Sequence, residues 1–251
     1  MFLPCVDIII PNFNKEAYLK GCINSVFNQT YKNWNIIFVD DSSTDNSLKI
    51  IRKYKSKKIK IISLDKNKGP SFCRHTGVKV SKNNYIAFLD SDDKWTKNKL
   101  KDQIIFMIEN KYNFTYSDYY ISYNTQSNIH NYTNLTNFFN YKKFITNSSI
   151  NTSTIIIKKN LLKNIPFTNL KLLEDYVFKC QILKKGFVAH KIQKPLAFYN
   201  LNESNRSKNK IKNLIYLWNV NKKYNKLGFF ENMNSLIRIS YNSFRKYGFK
   251  K

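Results

Sequence analysis

The stretch YIAFLDSDDKW, residues 85–95, joins an apolar run to three aspartates, Asp90, Asp92 and Asp93. The run is nearly continuous rather than alternating, which is typical of a strand covered on both faces of a parallel sheet. Acids are scarce in this chain, which has 16 Asp and Glu against 43 Lys and Arg. The stretch therefore predicts a buried sheet with a cation-binding site at the end of one strand.

Three more apolar, β-branched runs precede this stretch, and segments with helical spacing lie between them. Strands that alternate with helices predict βαβ units, so we expect an α/β fold with a mostly parallel central sheet. The runs are VDIII (6–10), NIIFVD (35–40) and IKIISL (59–64), and the helical segments are 16–28, 45–54, 70–81 and 96–110.

The second half of the chain is less regular. Its polar and aromatic part, 112–151, is rich in Asn and Tyr. A C-terminal helical tail, from about residue 209, has the pattern of two amphipathic helices broken near Gly228. The other predicted elements are strands at 114–123, 152–159 and 187–201 and a helix at 174–185 that stops at Gly186.

Composition limits the class of protein. The 251 residues are 42% hydrophobic and 16% aromatic, which favours a folded core over disorder. No apolar run approaches the ~20 residues that span a bilayer, and no signal peptide is evident, so we expect a cytoplasmic protein. The four cysteines form no C-x-x-C pair and none is near a histidine at zinc spacing, so we expect buried thiols and not a metal site. The formal charge of +27 fits an anionic partner or a general lysine-rich bias.

Polar signatures follow three of the four predicted strands: PNFN (11–14), VDDSSTD (39–45) and DSDD (90–93). Ligands of an open parallel sheet bind beyond the carboxyl ends of its strands, so these three segments together predict a binding site. Each segment alone is also compatible with an ordinary helix cap.

Asp90 and Asp92 have one residue between them and point the same way on extended backbone. Carboxylates this close raise each other's pKa unless a positive charge lies between them. Mg²⁺ or Mn²⁺, which bind one or two carboxylates together with substrate phosphates, would supply that charge. The alternative is a capped turn that opens the helix at Thr96.

Four motifs in order resemble the family 2 glycosyltransferases, which have the GT-A fold, a Rossmann-like nucleotide-sugar-binding domain. The resemblance covers roughly residues 5–200. The motifs are VDIIIPNFNKEAYLKGCINSVFNQTYKNWNIIFVDDSSTDNS (6–47), NKGPSFCRHTGV (67–78), YIAFLDSDDKW (85–95) and LLEDYVFKCQILKKG (172–186).

The resemblance implies a role for each matching position. It places the catalytic base at Asp175, with Glu174 beside it, and the metal at Asp92 and Asp90, the D-x-D pair. It places the nucleotide at Pro11, Asn12, Phe13, Asn14, Glu16, Asp40, Asp41, Lys68, Arg74, Asp90 and Ser91.

The implied activity is metal-dependent, inverting transfer of a sugar from a nucleotide-sugar donor, with a UDP-sugar expected. The implied acceptor is a glycan or lipid-linked molecule of bacterial cell-surface polysaccharide synthesis, and the divalent cation is Mg²⁺ or Mn²⁺. The Q-x-x-R-W motif of the processive members is not found, which favours transfer of a single sugar. The stretch SNRSKNK (204–210) resembles a loop that closes over the diphosphate, with Arg206 and Lys208 as candidate phosphate contacts.

We expect a glycosyltransferase domain at 1–208, divided into a nucleotide-binding half, 1–95, and an acceptor-side half, 96–208. The basic tail, 209–251, is either an interfacial segment on an anionic membrane, on its cytoplasmic face, or a pair of helices packed on the domain. The stretch 112–151 is either an aromatic acceptor-binding wall or a surface loop. Two other functions remain open: a nucleic-acid-binding module, which the charge favours without any recognition motif, and a relative that binds nucleotide sugar without transferring it.

Overall fold

The computed structural model describes residues 3–123, 129–132, 136–166, 168, 170, 172–201 and 210–247. In chain order the elements are β1 (Val6–Asn12), α1 (Glu16–Phe27), β2 (Trp34–Asp40), α2 (Ser47–Arg52), β3 (Ile59–Ser63), α3 (Pro70–Val80), β4 (Tyr85–Phe88), β5 (Lys94–Trp95), α4 (Lys99–Glu109), β6 (Phe114–Tyr123), β7 (Ile129–Tyr132), β8 (Phe138–Phe139), α5 (Tyr141–Phe144), β9 (Ile156–Lys158), α6 (Glu174–Lys184), β10 (Ala189–Leu201), α7 (Lys210–Val220) and α8 (Phe229–Tyr247).

The described strands form one sheet in the order β3-β2-β1-β4-β9-β6-β10-β5, with β7 beside β6 and β8 beside β10. Strands β1 to β4 pair in parallel, as do β6 and β10, whereas the short strands β5, β7, β8 and β9 pair antiparallel. The predicted α/β fold with a mostly parallel sheet is confirmed. The order β2-β1-β4 brings the carboxyl ends of three strands next to one another.

Both faces of the parallel part are covered, as the continuous apolar runs predict. On β1, Ile8 and Ile10 belong to a core cluster with α1 and α4, while Ile9 belongs to a second cluster with α3 and α6. Helix α3 lies very close to the sheet, since a Cβ on Gly77 would be 2.5 Å from Cγ2 of Ile9. That approach fixes the position of α3 at the site edge of the sheet.

The structure differs from the prediction for 152–159. Residues Thr152–Thr154 form a 3₁₀ turn, and only Ile156–Lys158 is strand. The side chain of Asn151 accepts a hydrogen bond from the Ser153 backbone N–H at 2.8 Å and so caps the turn. The strand therefore begins only at Ile156. The predicted helix at 45–54 is likewise shorter, because only Ser47–Arg52 is helical.

The described part of the stretch 112–151 is more than a surface loop. Phe114, Tyr116 and Tyr119 of β6 are buried in the two core clusters. Neither strands as short as β7 and β8 nor the one-turn helix α5 produced a periodic signal in the sequence.

The C-terminal segment consists of two helices, α7 and α8, with a π-helical turn, Asn221–Asn225, between them. The predicted break near Gly228 is confirmed, since α8 begins at the next residue. Leu217 and Val220 of α7 are buried in the core cluster that contains α6. No helix of the described residues is both long enough and apolar enough to cross a bilayer.

All four cysteines are free thiols, and Cys22, Cys73 and Cys180 are buried, in agreement with the prediction for these three.

Candidate active site

The loops that follow β1 and β2 are joined by hydrogen bonds between their side chains. Asn12 Nδ2 donates to Asp40 Oδ1 at 2.9 Å, and the Asn14 backbone N–H donates to Ser43 Oγ at 3.0 Å. Asn14 has a positive φ of 50°, and its Oδ1 accepts a hydrogen bond from the Thr44 backbone N–H at 2.8 Å. The two strand ends that the sequence places at the site therefore lie together.

Asp40 stabilises this edge of the sheet through buried hydrogen bonds. It is completely buried, and its Oδ2 accepts the Ser43 backbone N–H at 2.9 Å while Oδ1 accepts the Ser43 hydroxyl at 2.7 Å. Pro11 is also buried, opposite Val39 in the register of β1 and β2, whereas Phe13 is exposed. Asn12 and Asp40 therefore hold the loops in place, and Phe13 faces solvent.

Asp41 connects β2 to the start of α3. Its two carboxylate oxygens accept the backbone N–H groups of Lys68 at 2.7 Å and Gly69 at 2.8 Å. Gly69 has φ +86°, and Pro70 begins α3 directly after it. The Lys68 ammonium lies over the Phe72 ring, 4.4 Å from its centroid. These contacts fix the N-terminus of the helix that carries Arg74.

Glu16 and Asp45 cap each other's helices. Glu16 Oε2 accepts the Asn46 backbone N–H at 2.8 Å, and Asp45 Oδ2 accepts the Glu16 backbone N–H at 2.9 Å. Glu16 thus fixes the relative position of α1 and α2 at the rim of the site.

Asp90 and Asp92 each contact a basic side chain from another element of the site. Arg74 Nη2 lies 2.6 Å from Asp90 Oδ1, and Lys15 Nζ lies 2.8 Å from Asp92 Oδ2. Ser91, between them, is buried. The pair carries the positive partners that two close carboxylates require, and both partners come from elements that meet at this edge.

Asp93 has a different position from its two neighbours. It is buried, accepts the Ser153 hydroxyl at Oδ2, and accepts the Asn200 backbone N–H at Oδ1 at 2.9 Å. Burial raises the pKa of Asp93 well above its usual value, and the charges of Asp92 and Asp90 raise it further. Asp93 therefore anchors the DSDD turn to the 3₁₀ turn and to β10.

Ser153 is a site residue that the sequence analysis missed. Its Oγ also accepts the Asp90 backbone N–H at 3.1 Å, so one hydroxyl positions both ends of the DSDD turn. The cap sequence Asn151-Thr-Ser was a signal for a turn here, but nothing local marks a partner 60 residues away.

Glu174 and Asp175 begin α6 and lie at the same crevice as Arg74. Arg74 Nη1 is 3.4 Å from Glu174 Oε1, so this guanidinium bridges Glu174 to Asp90. Asp175 Oδ2 accepts a hydrogen bond from Lys179 Nζ at 2.7 Å and from Thr152 Oγ1 at 3.4 Å. The crevice is lined by Ser71, Arg74, Thr152, Glu174, Asp175 and Phe178.

The two acids at the start of α6 have opposite pKa shifts. For Glu174, burial raises the pKa, the charge of Asp175 adds to this, and Arg74 only partly opposes it. For Asp175, burial alone would raise the pKa, but the buried Lys179 ammonium, the Arg74 charge and the Tyr176 backbone N–H together outweigh burial and lower it. Asp175 is therefore ionised at neutral pH and is the better candidate to accept a proton.

Arg74 stays charged in this setting. Burial alone would lower its pKa, but Asp90 and Glu174 raise it above its usual value. Among the described residues, no group of three or more His, Cys, Asp or Glu side chains is placed to hold a metal ion. Two carboxylates suffice for Mg²⁺ or Mn²⁺ when substrate phosphate completes the coordination, so Asp90 and Asp92 are the residues that would hold such an ion. Arg206 and Lys208, the predicted phosphate contacts, lie outside the described residues.

The sequence profile of Glycosyl transferase family 2 matches residues 7–167 of this chain. The chain belongs to glycosyltransferase family 2. The matched range includes the three strand ends and the DSDD turn, and the predicted family is confirmed.

Relatives and solved structures agree with this assignment. The chain is 37% identical to the Escherichia coli UDP-Glc:alpha-D-GlcNAc-diphosphoundecaprenol beta-1,3-glucosyltransferase WfaP over 86% of this chain and 84% of WfaP. It is 34% identical to the E. coli enzyme WfgD, which has the same activity in its name, over 94% of this chain and 90% of WfgD. The structure of S. aureus TarS 1–349 in complex with UDP-GlcNAc matches with a TM-score of 0.74 and 22% identity, covering 96% of this chain and 73% of TarS 1–349. This family 2 glycosyltransferase therefore has the predicted GT-A fold.

Proposed function

We propose that this family 2 glycosyltransferase transfers one hexose or N-acetylhexosamine from a UDP-sugar to a hydroxyl of a lipid-linked glycan in bacterial surface polysaccharide synthesis. The observation that carries the proposal is the double contact of Arg74 with Asp90 and Glu174, because it brings the D-x-D turn and the start of α6 to one crevice. The names of WfaP and WfgD support this choice of substrates, because both specify a UDP-Glc donor and a diphosphoundecaprenol-linked acceptor.

In the proposed reaction, Asp175 accepts the proton of the acceptor hydroxyl as that oxygen attacks the anomeric carbon. Lys179 keeps Asp175 ionised before the reaction, and Thr152 helps to orient its carboxylate. Direct attack assisted by one base inverts the anomeric centre. Catalysis by such a base contributes about 10²–10⁴-fold to the rate.

On the donor side, Asp90 and Asp92 would hold Mg²⁺ or Mn²⁺, and the ion would supply positive charge for the departing diphosphate. Lys15 and Arg74 are the cations already at these carboxylates, so they are placed to contact phosphate when the donor binds. Asp41, Asn14 and Glu16 shape the loops at the nucleotide end of the same edge.

The roles of the acids are separated by matched amide substitutions. Asp175→Asn should lower transfer to a GlcNAc-diphospho-lipid by about 10²–10⁴-fold while UDP binding stays intact, because only the proton acceptor is lost. Asp92→Asn should instead weaken metal-dependent UDP binding. Transfer is measured with radiolabelled UDP-sugar, and binding by calorimetry with and without Mn²⁺.

Asp102→Asn is the control. Asp102 lies on α4, and its carboxylate forms an ion pair at 3.0 Å with the exposed Lys194 of β10. This variant should transfer sugar at the rate of the unmodified protein. Full activity of Asp175→Asn would exclude Asp175 as the base. Retention of the donor's anomeric configuration in the product, read by NMR, would exclude the direct displacement.

A further inference from the structure

Helix α8 has a row of large apolar side chains turned outward. Phe230, Met233, Ile237, Tyr241 and Phe244 recur at helical spacing and are all exposed, Phe230 at 84% and Ile237 at 62% of the residue's full accessible area. A surface helix of a water-soluble domain normally places such a row against the core. The outward row therefore needs a physical reason.

The inward side of α8 is already engaged with the core. Leu236 and Ile239 are partly buried against a core cluster, and two polar side chains are buried beside them. Asn232 and Ser235 are 1% and 0% exposed, and both accept hydrogen bonds from Asn221 Nδ2 at 3.0 Å. Ser235 Oγ also donates to the backbone carbonyl of Ile145, and Asn232 Nδ2 donates to that of Trp218. Rotating α8 to bury its apolar row would break these buried hydrogen bonds, so the outward orientation is built into the fold.

The apolar row continues onto α7. Ile211, Leu214 and Ile215 are exposed on one side of that helix. The rings of Trp218 on α7 and Phe229 on α8 meet edge to face, 5.5 Å between centroids, and join the two rows. We use the name outer face for the exposed apolar rows of α7 and α8 together with this junction.

Charge decides which partner fits the outer face. Residues 209–251 contain ten Lys and Arg and a single acid, Glu231, and exposed Arg238 and Arg245 lie on α8 itself. A second copy of the chain would bring two strongly positive surfaces together, which is unfavourable. Aliphatic and aromatic side chains beside basic ones suit the interface of a bilayer that contains anionic lipid.

We propose that the outer face docks on an anionic membrane surface, with α7 and α8 lying in the interfacial plane. With a rise of ~1.5 Å per residue, the 19 residues of α8 provide a contact about 28 Å long. Docking itself requires neither a sugar donor nor a glycan acceptor, so this proposal does not depend on the proposed transfer reaction.

Docking at this face would also orient the candidate active site. Tyr176, the residue after Asp175, donates its hydroxyl to Asn221 Oδ1 at 2.8 Å, and Lys184 of α6 donates to the carbonyls of Tyr224 and Asn225 at 2.9 Å. These contacts join α6 to the turn between α7 and α8. Docking would therefore place Asp175 at a defined distance and angle from a lipid-linked acceptor in the membrane.

The test uses the full chain and vesicles of phosphatidylcholine with and without phosphatidylglycerol, separated by flotation. The unmodified protein should bind the anionic vesicles, more weakly at high salt, and bind pure phosphatidylcholine poorly. The double variant Phe230→Asp with Ile237→Asp should reduce binding at least about tenfold, because two apolar contacts are lost and two negative charges are added. Phe230→Leu with Ile237→Leu should keep binding.

Ser243→Asp is a charge control that adds one negative charge outside the apolar row, since Ser243 is exposed elsewhere on α8. This variant should lose little binding. A thermal shift with UDP shows that each variant is folded, and it separates a failure of docking from a failure of the donor site. Trp34 and Trp95 are buried, so quenching of fluorescence by brominated lipid should come from Trp218 and disappear in Trp218→Phe.

Three results would overturn the proposal. The first is equal binding of the unmodified chain and the double aspartate variant. The second is absence of binding to anionic vesicles. The third is a stable dimer in solution that the double aspartate variant abolishes, since it would assign the outer face to a second copy.

Discussion

A single carboxylate, Asp7, holds the fold together at the amino end of β1, the end opposite the site. Its Oδ2 accepts hydrogen bonds from the Ser81 hydroxyl at 2.6 Å and the backbone N–H groups of Lys82 and Asn83 at 2.9 and 3.0 Å. Burial alone would raise the pKa of Asp7, but the hydrogen bonds from Ser81 and Asn83 outweigh it and lower the pKa below 3.8. This acid ties β1 to the end of α3 and is structural.

The lowered pKa of Asp7 predicts how stability depends on pH. A carboxyl with a lower pKa in the folded than in the unfolded state stabilises the fold above the unfolded pKa and loses that effect as pH falls through the folded pKa. Asp7→Asn should therefore lower the free energy of unfolding by about 1–3 kcal/mol at pH 7, and the gap should narrow below pH ~4. Urea unfolding of both proteins at several pH values from 7 to 3 measures this difference in the free energy of unfolding. Asp65→Asn at an exposed position is the control, and a pH-independent gap would contradict the assignment.

Gly69 permits a different single-residue test. Its φ of +86° with ψ 162° is a conformation open to glycine almost alone, yet a Cβ there would meet no atom within 4 Å. Gly69→Ala should destabilise by about 1–3 kcal/mol through backbone strain, and it should weaken UDP binding because the Asp41 contact and the start of α3 shift. Gly228→Ala, which adds a Cβ in equally open space, should cost less in thermal unfolding. Equal melting temperatures for the two variants would show that the turn at Gly69 is not strained by a side chain.

At the scale of one helix, α6 carries both the candidate base and the group that tunes it. Lys179 lies one turn after Asp175, is almost fully buried, and contacts Asp175 Oδ2 at 2.7 Å and the Ile150 carbonyl at 2.7 Å. Asp175 was predicted from the sequence and Lys179 was not, although their spacing of four residues on a predicted helix indicates a contact.

Replacement of Lys179 should change the pH profile of transfer. Lys179 lowers the pKa of Asp175, so Lys179→Met should raise it and move the acid limb of kcat/KM to higher pH. Lys179→Arg should restore the limb in part, because it returns the charge. Lys184→Met, on the same helix but facing Tyr224 and Asn225, should leave the limb where it is. An unmoved limb in Lys179→Met would mean that Asp175 does not govern the acid side of the reaction.

The elements that the sequence predicted well are those whose own residues carry the signal. Strands β1 to β4 read as apolar runs because both faces are covered, and the loops after β1, β2 and β4 stood out for their polar side chains. The predicted start of β9 was wrong because a helix cap at Asn151, and not β propensity, determines the backbone conformation there. The pairing of Asp93 with Ser153 and Asn200 could not be predicted, since it depends on strand order rather than on local pattern.

At the scale of the whole molecule, the C-terminal helices have two opposite functions. Their inner side, with Leu217, Val220 and Asn221, closes the core beside α6. Their outer side exposes the apolar rows of the outer face. The two sequence interpretations of the tail, packed helices and an interfacial segment, are therefore compatible, because each describes one side.

The inner side predicts that the chain cannot be divided at residue 208. A chain that ends there loses the burial of Leu217 and Val220, worth about 1.5–3 kcal/mol per large apolar side chain, and leaves the buried Tyr176 hydroxyl without Asn221. We expect it to melt at much lower temperature than the full chain, or to aggregate, when followed by circular dichroism and size-exclusion chromatography. A chain that ends at residue 242 keeps every inner contact named here and should melt close to the full chain. Cooperative melting of the 208-residue chain at the temperature of the full chain would instead show that residues 209–251 are an appendage, and that the core beside α6 is complete without them.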